Sequence, residues 1–113
     1  MGELFVQLRL LQFDVQAAPL LKDSGNDLIA IRGEAIRAIH IKTTTKDSFK
    51  LNGLPQLYHG VALVKLAGED RTLYLDQSQI FILQKAEIKK GSYKLDELGA
   101  FELNSKAVDR FFA

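Results

Sequence analysis

Two runs of β-forming residues on either side of a glycine constrain the fold of this chain more than any other feature. The runs cover residues 27–31 and 36–42, and the segment Arg32-Gly33-Glu34-Ala35 separates them. Glycine at the first central position of a two-residue turn favours type II′, the geometry that suits a tight β-hairpin. The sequence therefore predicts an antiparallel hairpin in which Arg32 lies opposite Ala35.

In this register, three polar side chains share one face at the open end of the hairpin. Asp27 lies opposite His40, and Lys42 shares their face because side chains alternate along a strand. A shift of one residue in the pairing would move Asp27 to the other face. Apolar side chains fill that other face and much of the first, as in central strands covered on both sides. Those of the other face are Leu28, Ala30, Ile39 and Ile41.

The segments around the hairpin predict two helices and further strands. Residues 2–13 have helical spacing, with Leu4, Leu8 and Leu11 in an apolar stripe that Phe5 and Val6 widen. A short strand is predicted at 14–18, and a polar loop at 43–53 with one helical turn near Asp47 or Ser48. A strand at 60–66, a turn at 68–70 and a returning strand at 72–75 follow. The last predicted elements are a short strand or helix start at 80–83 and a helix at 105–112. This order predicts a single mixed α/β domain over residues 1–113 with a largely antiparallel sheet.

The size and composition of the chain fit one packed domain and exclude several kinds of site. The chain has 113 residues, of which 47% are hydrophobic and 26% charged. The lack of cysteine excludes disulfides, thiolate metal sites and cysteine nucleophiles, and it is compatible with a reducing cytoplasm. The apolar runs are too short to cross a bilayer, and the first residues do not resemble a signal peptide, so we expect a cytoplasmic protein.

Positive charge is concentrated in two stretches, Arg32 to Lys50 and Lys85 to Lys94, each with a local charge of +3. The net charge of +1 is weak support for nucleic-acid binding. Between Arg32 and Lys50, however, five basic and two acidic residues give a local charge of +3. Within this stretch Thr43, Thr44 and Lys46 are predicted to contact a phosphate backbone, since hydroxyls and lysines do so without reading sequence. The alternative is an ordinary solvated loop.

Three short segments resemble the PD-(D/E)XK nuclease superfamily. They are Ser24-Gly25-Asn26-Asp27-Leu28-Ile29-Ala30, then Ile39-His40-Ile41-Lys42-Thr43, and Gly2-Glu3-Leu4-Phe5 at the start of the chain. The family has an acidic residue at the start of one strand, an acidic residue or glutamine and then a lysine on the next, and often a glutamate in an N-terminal helix. The resemblance covers about the first two-thirds of the chain. Within that superfamily, the chain is similar to archaeal Holliday-junction resolvases and to small homing and restriction endonucleases.

The resemblance implies a restriction-endonuclease-like fold, with a mixed central β-sheet flanked by helices, and a metal-dependent endonuclease acting on DNA. Asp27 and Glu3 would hold Mg²⁺ or Mn²⁺. Lys42 would position the attacking water and stabilise developing negative charge. His40 stands where the family has glutamate or glutamine. Its imidazole suits Mn²⁺ better than Mg²⁺, and it can instead accept a proton.

Each of these residues also has an ordinary structural explanation. Asp27 suits a turn, and Glu3 suits the positive end of a helix. Lys42 suits a solvated strand end, and His40 can hydrogen-bond to Asp27 without any chemistry. A catalytically inactive relative that binds nucleic acid or a protein partner is therefore the alternative function, and a structural interaction domain is a third.

A homodimer is expected for the nuclease. Cutting both strands of DNA requires two sites, and a small domain gains core by pairing. The apolar pair Phe111 and Phe112 is the candidate interface that the sequence offers.

Overall fold

The computed structural model describes residues 2–19, 27–51, 58–69, 72–73 and 78–113, and the side chains of Glu3, Asp27, 68–69 and 72–73 lie outside that description. The helices are α1 (Gly2–Leu11) and α2 (Ser105–Phe111). The strands are β1 (Gln16–Pro19), β2 (Asp27–Arg32), β3 (Ala35–Thr44), β4 (Ser48–Lys50), β5 (Gly60–Lys65), β6 (Gly68–Glu69), β7 (Thr72–Leu73), β8 (Gln79–Gln84) and β9 (Ser92–Lys94). Short 3₁₀ turns lie at Lys85–Glu87, Leu95–Glu97 and Gly99–Phe101.

A mixed five-stranded sheet with the order β1-β2-β3-β5-β8 forms the centre of the molecule. Strand β2 pairs antiparallel with β1 on one side and with β3 on the other. Strand β5 runs parallel to β3, and β8 is antiparallel to β5. Two further antiparallel ribbons pair β4 with β9 and β6 with β7. The radius of gyration of 13.2 Å is that of a compact folded chain of this length. The predicted mixed α/β class with a largely antiparallel sheet is confirmed.

The hairpin of β2 and β3 has the predicted register. Asp27 pairs with His40, and Arg32 pairs with Ala35. Gly33 has a φ of 61°, which glycine adopts without steric cost, whereas Glu34 is not among the residues with positive φ. A positive φ at the first central position alone is the pattern of a type II′ turn. The predicted turn and the faces that follow from it are confirmed.

The prediction of a polar loop at 43–53 is wrong. Strand β3 continues to Thr44, and Ser48–Lys50 form β4. The reason is Phe49, whose side chain is 2% exposed and lies in an apolar cluster with Tyr93, its partner on β9. A strand that depends on a partner so far along the chain leaves little trace in its own sequence.

The predicted returning strand at 72–75 is confirmed at residues 72–73, but its partner is not the strand at 60–66. Residues 72–73 pair with 68–69 in their own ribbon, and β5 lies between β3 and β8. Asp70 of the predicted turn and residues 74–75 lie outside the described part of the chain. The segment 80–83, predicted as a strand or a helix start, belongs to strand β8.

Both helices pack on one face of the sheet. That face presents the four residues predicted for it, Leu28, Ala30, Ile39 and Ile41, all at most 2% exposed. Helix α2 and the residue after it contribute Ala107, Val108, Phe111 and Phe112, as the predicted helix required. Asn104 caps α2 by accepting a hydrogen bond of 2.8 Å from the backbone N–H of Ala107. Because Phe111 and Phe112 are buried within this layer, they are not a surface for pairing with a second chain.

Helix α1 packs with only part of the predicted apolar stripe, namely Phe5 and Val6. Leu4, Leu8 and Leu11 are 55%, 52% and 58% exposed. The neighbouring side chains Phe5, Val6 and Leu10 are buried in the cluster that the two helices share. The helix is apolar around much of its circumference, so tertiary packing rather than spacing selects the side that faces the sheet.

A second apolar cluster covers part of the other face of the sheet. Val61, Leu63, Phe81 and Leu83 of β5 and β8 pack there against Phe49, Leu51, Tyr93 and Leu98. This layer leaves the turn end of the β2–β3 hairpin open, since Ile31 and Ile36 are 40% and 56% exposed. The expectation that both faces of the hairpin are covered is therefore correct only for the helix side. Among the described residues, neither helix has the length and hydrophobicity that crossing a bilayer requires.

Candidate functional site

The open end of the hairpin brings the predicted residues of β2 and β3 together at the level of the backbone. Asp27 and His40 are paired across the two strands, and Lys42 lies two residues further along β3 on the same face. The parallel neighbour β5 places Val61 beside His40 and Leu63 beside Lys42. His40 is 9% exposed and Lys42 is partly exposed, so both stand at the border of the second apolar cluster.

Glu3 belongs to the opposite layer. It lies in the first turn of α1, whose buried side chains pack on the face of the sheet away from His40 and Lys42. The side chains of Glu3 and Asp27, the two predicted carboxylate ligands, fall outside the described part of the chain. Among the side chains that are described, no group of three His, Asp or Glu residues is placed to hold a metal ion.

The end of β3, the following turn and β4 enclose an open pocket of about 360 Å³, which we call the lysine pocket. Its lining consists of Lys42, Thr43, Thr44, Lys46, Ser48, Phe49 and Lys50. The pocket thus brings together Lys42 and the three residues predicted to contact a phosphate backbone. Ser48 and Lys50 were not predicted. The spacing of Lys42, Lys46 and Lys50, four residues apart, is the signal in the sequence that points to Lys50, whereas no such signal points to Ser48.

Hydrogen bonds fix the turn that forms one wall of the lysine pocket. The hydroxyl of Thr44 accepts a bond of 3.0 Å from the backbone N–H of Lys46. The ammonium group of Lys65, on β5, donates to the carbonyls of Thr45 and Lys46, the latter over 2.8 Å. It also forms an ion pair of 3.3 Å with Asp47.

The same turn is tied to the layer above the sheet. The backbone N–H of Leu95 donates a bond of 3.0 Å to the carbonyl of Asp47. Since Leu95 packs against the second apolar cluster, this bond joins the pocket wall to a buried part of the molecule. The position of the turn therefore does not depend on a ligand.

A second basic stretch, residues 85–94, uses its charges within the chain. Lys90 forms an ion pair with Glu97 and lies 5.2 Å from the ring centre of Tyr93. The hydrogen bond from Lys90 and a second one of 2.9 Å from the backbone N–H of Lys94 lower the pKa of the Glu97 carboxyl. Lys85 lies 4.8 Å from the ring centre of Tyr58. Lys85 and Lys90 therefore contribute to packing within the chain.

Comparison of the chain with known protein families, with curated proteins and with solved structures gives no match. The fold and the geometry of the site are therefore the basis for the function proposed below.

Proposed function

We propose that this chain is a metal-dependent endonuclease of restriction-endonuclease-like fold that hydrolyses phosphodiester bonds in DNA. One observation carries the proposal. The backbone pairing sets Asp27 opposite His40, and Lys42 follows on the same face and lines the lysine pocket. An acidic residue, an imidazole and an ammonium group beside a basic pocket are the groups that hydrolysis of a phosphodiester needs.

Asp27 is the residue that would hold Mg²⁺ or Mn²⁺, because carboxylate oxygens are the ligands that these hard cations prefer. Glu3, the second ligand that the resemblance implies, lies in the opposite layer and would not share that cation. The position of Asp27 supports the fit to a cation, because the strand pairing places His40, a second candidate ligand, opposite Asp27. When bound, the cation supplies a water of lowered pKa and neutralises charge on the phosphate.

The remaining chemistry falls to two side chains of β3. Lys42 contributes positive charge where negative charge develops on the phosphate, and it orients the attacking water by hydrogen bonding. His40 would accept a proton from the attacking water, or would be one of the residues that hold a transition metal. Activity is then expected to be higher with Mn²⁺ than with Mg²⁺, since imidazole is a poor ligand for Mg²⁺.

The proposal includes a homodimer, since cutting both strands of a duplex requires two sites. Its interface must use surface other than Phe111 and Phe112, which are buried within one chain.

The test is cleavage of plasmid and branched DNA by the purified chain with Mg²⁺ or Mn²⁺. Asp27→Ala and Lys42→Ala are expected to abolish cleavage, whereas Lys106→Ala is expected to cleave normally. Lys106 is exposed on α2, the helix that packs on the other face of the sheet, and is therefore a charge-matched control. Cleavage that survives Asp27→Ala would overturn the proposal.

A catalytically inactive module that binds nucleic acid is the second candidate. Two features of the chain favour it: His40 stands where the family that the chain resembles has an acidic residue or glutamine, and the lysine pocket gathers three lysines suited to a polyanion. A chain that binds DNA yet never cuts it with either cation would establish this second function. A chain that fails to bind any nucleic acid at low and at high salt would support the structural interaction domain instead.

A further inference from the structure

We propose that the lysine pocket binds the phosphodiester backbone of duplex DNA without reading its base sequence. This inference deepens the proposed function, on which it rests for the choice of DNA as the polyanion. It adds a place for phosphates next to the one to be cleaved, since Lys42 belongs both to the proposed hydrolytic site and to the pocket.

The charge of the pocket selects an anion. Its described lining carries three lysines and no carboxylate. Asp47, the nearest acidic residue along the chain, is paired with Lys65. Lys46 and Lys50 are exposed, and within the described ranges neither forms an ion pair. Closely spaced ammonium groups of one sign favour a ligand that carries several negative charges.

The hydroxyl groups of the pocket suit the phosphates of a nucleic-acid backbone. Thr43, Thr44 and Ser48 line it together with the lysines. Hydroxyl and ammonium groups are common donors to the non-bridging oxygens of a nucleic-acid backbone. At about 360 Å³ and open to solvent, the pocket also has room for a backbone phosphate with its adjoining sugar.

The aromatic residue of the pocket is not available to bases. Phe49 is 2% exposed, and its side chain packs in the second apolar cluster. Recognition of single strands relies on exposed aromatic rings on which bases stack. Among the described lining residues no such ring is offered, so contact is expected with the backbone rather than with bases.

The pocket is also ordered before a ligand arrives. Hydrogen bonds hold the turn between β3 and β4. Lys65 donates to the carbonyl of Lys46, and the backbone N–H of Leu95 donates to the carbonyl of Asp47. The hydroxyl of Thr44 accepts from the backbone N–H of Lys46. The backbone that carries Lys46 therefore needs no reordering, which lowers the entropic cost of binding.

The experiment measures equilibrium binding of the full chain to two duplexes of unrelated sequence in EDTA, over a range of salt concentrations. EDTA separates binding from cleavage. We expect equal affinities for the two duplexes. In the double variant Lys46→Ala, Lys50→Ala, the slope of log K against log salt is expected to fall in magnitude by about two, about one for each lysine. Lys106→Ala is the control and is expected to leave the slope almost unchanged.

Three results would overturn the inference: an unchanged slope in the double variant, an equal loss in Lys106→Ala, or no binding of duplex DNA at low salt. Equal affinity for poly-glutamate would show that the pocket selects charge and not phosphodiesters. Near-UV circular dichroism of the double variant verifies its fold, and Lys46→Gln, Lys50→Gln repeats the test with longer side chains. Cleavage with Mn²⁺ is measured separately, because DNA binding by the lysine pocket and the nuclease activity are two hypotheses. Either one can be contradicted while the other is supported.

Discussion

The ammonium group of Lys65 donates a hydrogen bond of 2.8 Å to the backbone carbonyl of Lys46. It joins the end of β5 to the turn that forms a wall of the lysine pocket. The side chain of Lys65 is 17% exposed, whereas the turn residues Thr45 and Lys46, whose carbonyls accept its hydrogen bonds, are exposed. Its partner Asp47 is 89% exposed, and that ion pair contributes little by comparison.

Replacing Lys65 by methionine is therefore expected to loosen the pocket. Two backbone carbonyls lose a charged donor, and the free energy of unfolding should fall by about 2 kcal/mol. Urea denaturation measures this change, and binding of duplex DNA in EDTA should weaken in parallel. Lys106→Met removes a lysine elsewhere and should change neither quantity. Full stability and full affinity in Lys65→Met would show that the turn holds its shape without this donor.

Gly60 has no room for a side chain. A Cβ atom there would lie 2.5 Å from the carbonyl oxygen of Leu83 and would run into the ring of Phe111. Gly60→Ala is expected to destabilise the fold by about 3 kcal/mol, because both neighbours belong to the packed sheet and helix layer. Gly99→Ala, at a position with no atom within 4 Å, is the matched control. Equal midpoints of urea denaturation for the two variants would contradict this packing.

Glu97 gives the stability a dependence on pH. Its pKa is lower in the folded chain because Lys90 and the backbone N–H of Lys94 bind the carboxylate. The stabilisation is therefore fully present above the unfolded pKa and disappears as the pH falls through the folded value. Glu97→Gln should lower the melting temperature at neutral pH, and the loss should shrink once the pH is below 4.5, the ordinary value. Glu34→Gln, in the exposed hairpin turn and outside these contacts, is the control for the substitution itself.

The orientation of α1 can be tested with two leucines of the same helix. Leu10 is 0% exposed and Leu8 is 52% exposed. Leu10→Ala is expected to cost about 3 kcal/mol of unfolding free energy, because it leaves a cavity in the helix layer. Leu8→Ala is expected to change stability by about 0.5 kcal/mol or less. The reverse order in chemical denaturation would restore the orientation that the leucine spacing predicts.

The hairpin was predictable because its determinants are local. Gly33 supplies the turn, and the alternation on both sides of it fixes which residues share a face with His40. The clustering of Lys42, Thr43, Thr44 and Lys46 follows from their closeness along the chain. In these cases the sequence contains the whole physical reason for the arrangement.

Other parts of the fold depend on contacts between distant segments. Strand β4 exists because Phe49 packs with Tyr93, and the side of α1 that faces the sheet is settled by the space into which Phe5 and Leu10 fit. Lys50 was missed because its segment looked like a loop. Lys65 was missed because nothing in its own strand shows that its ammonium group reaches the carbonyls of a neighbouring turn.

The sheet keeps its two apolar clusters apart, and this division offers an opportunity for engineering. Free-energy changes from substitutions that share no contacts usually add. The helix layer can therefore be repacked to raise the free energy of unfolding while the opposite side, which carries the lysine pocket, is varied independently. With such a scaffold, the affinity of the lysine pocket for its proposed ligand could be changed without an equal loss of thermal stability.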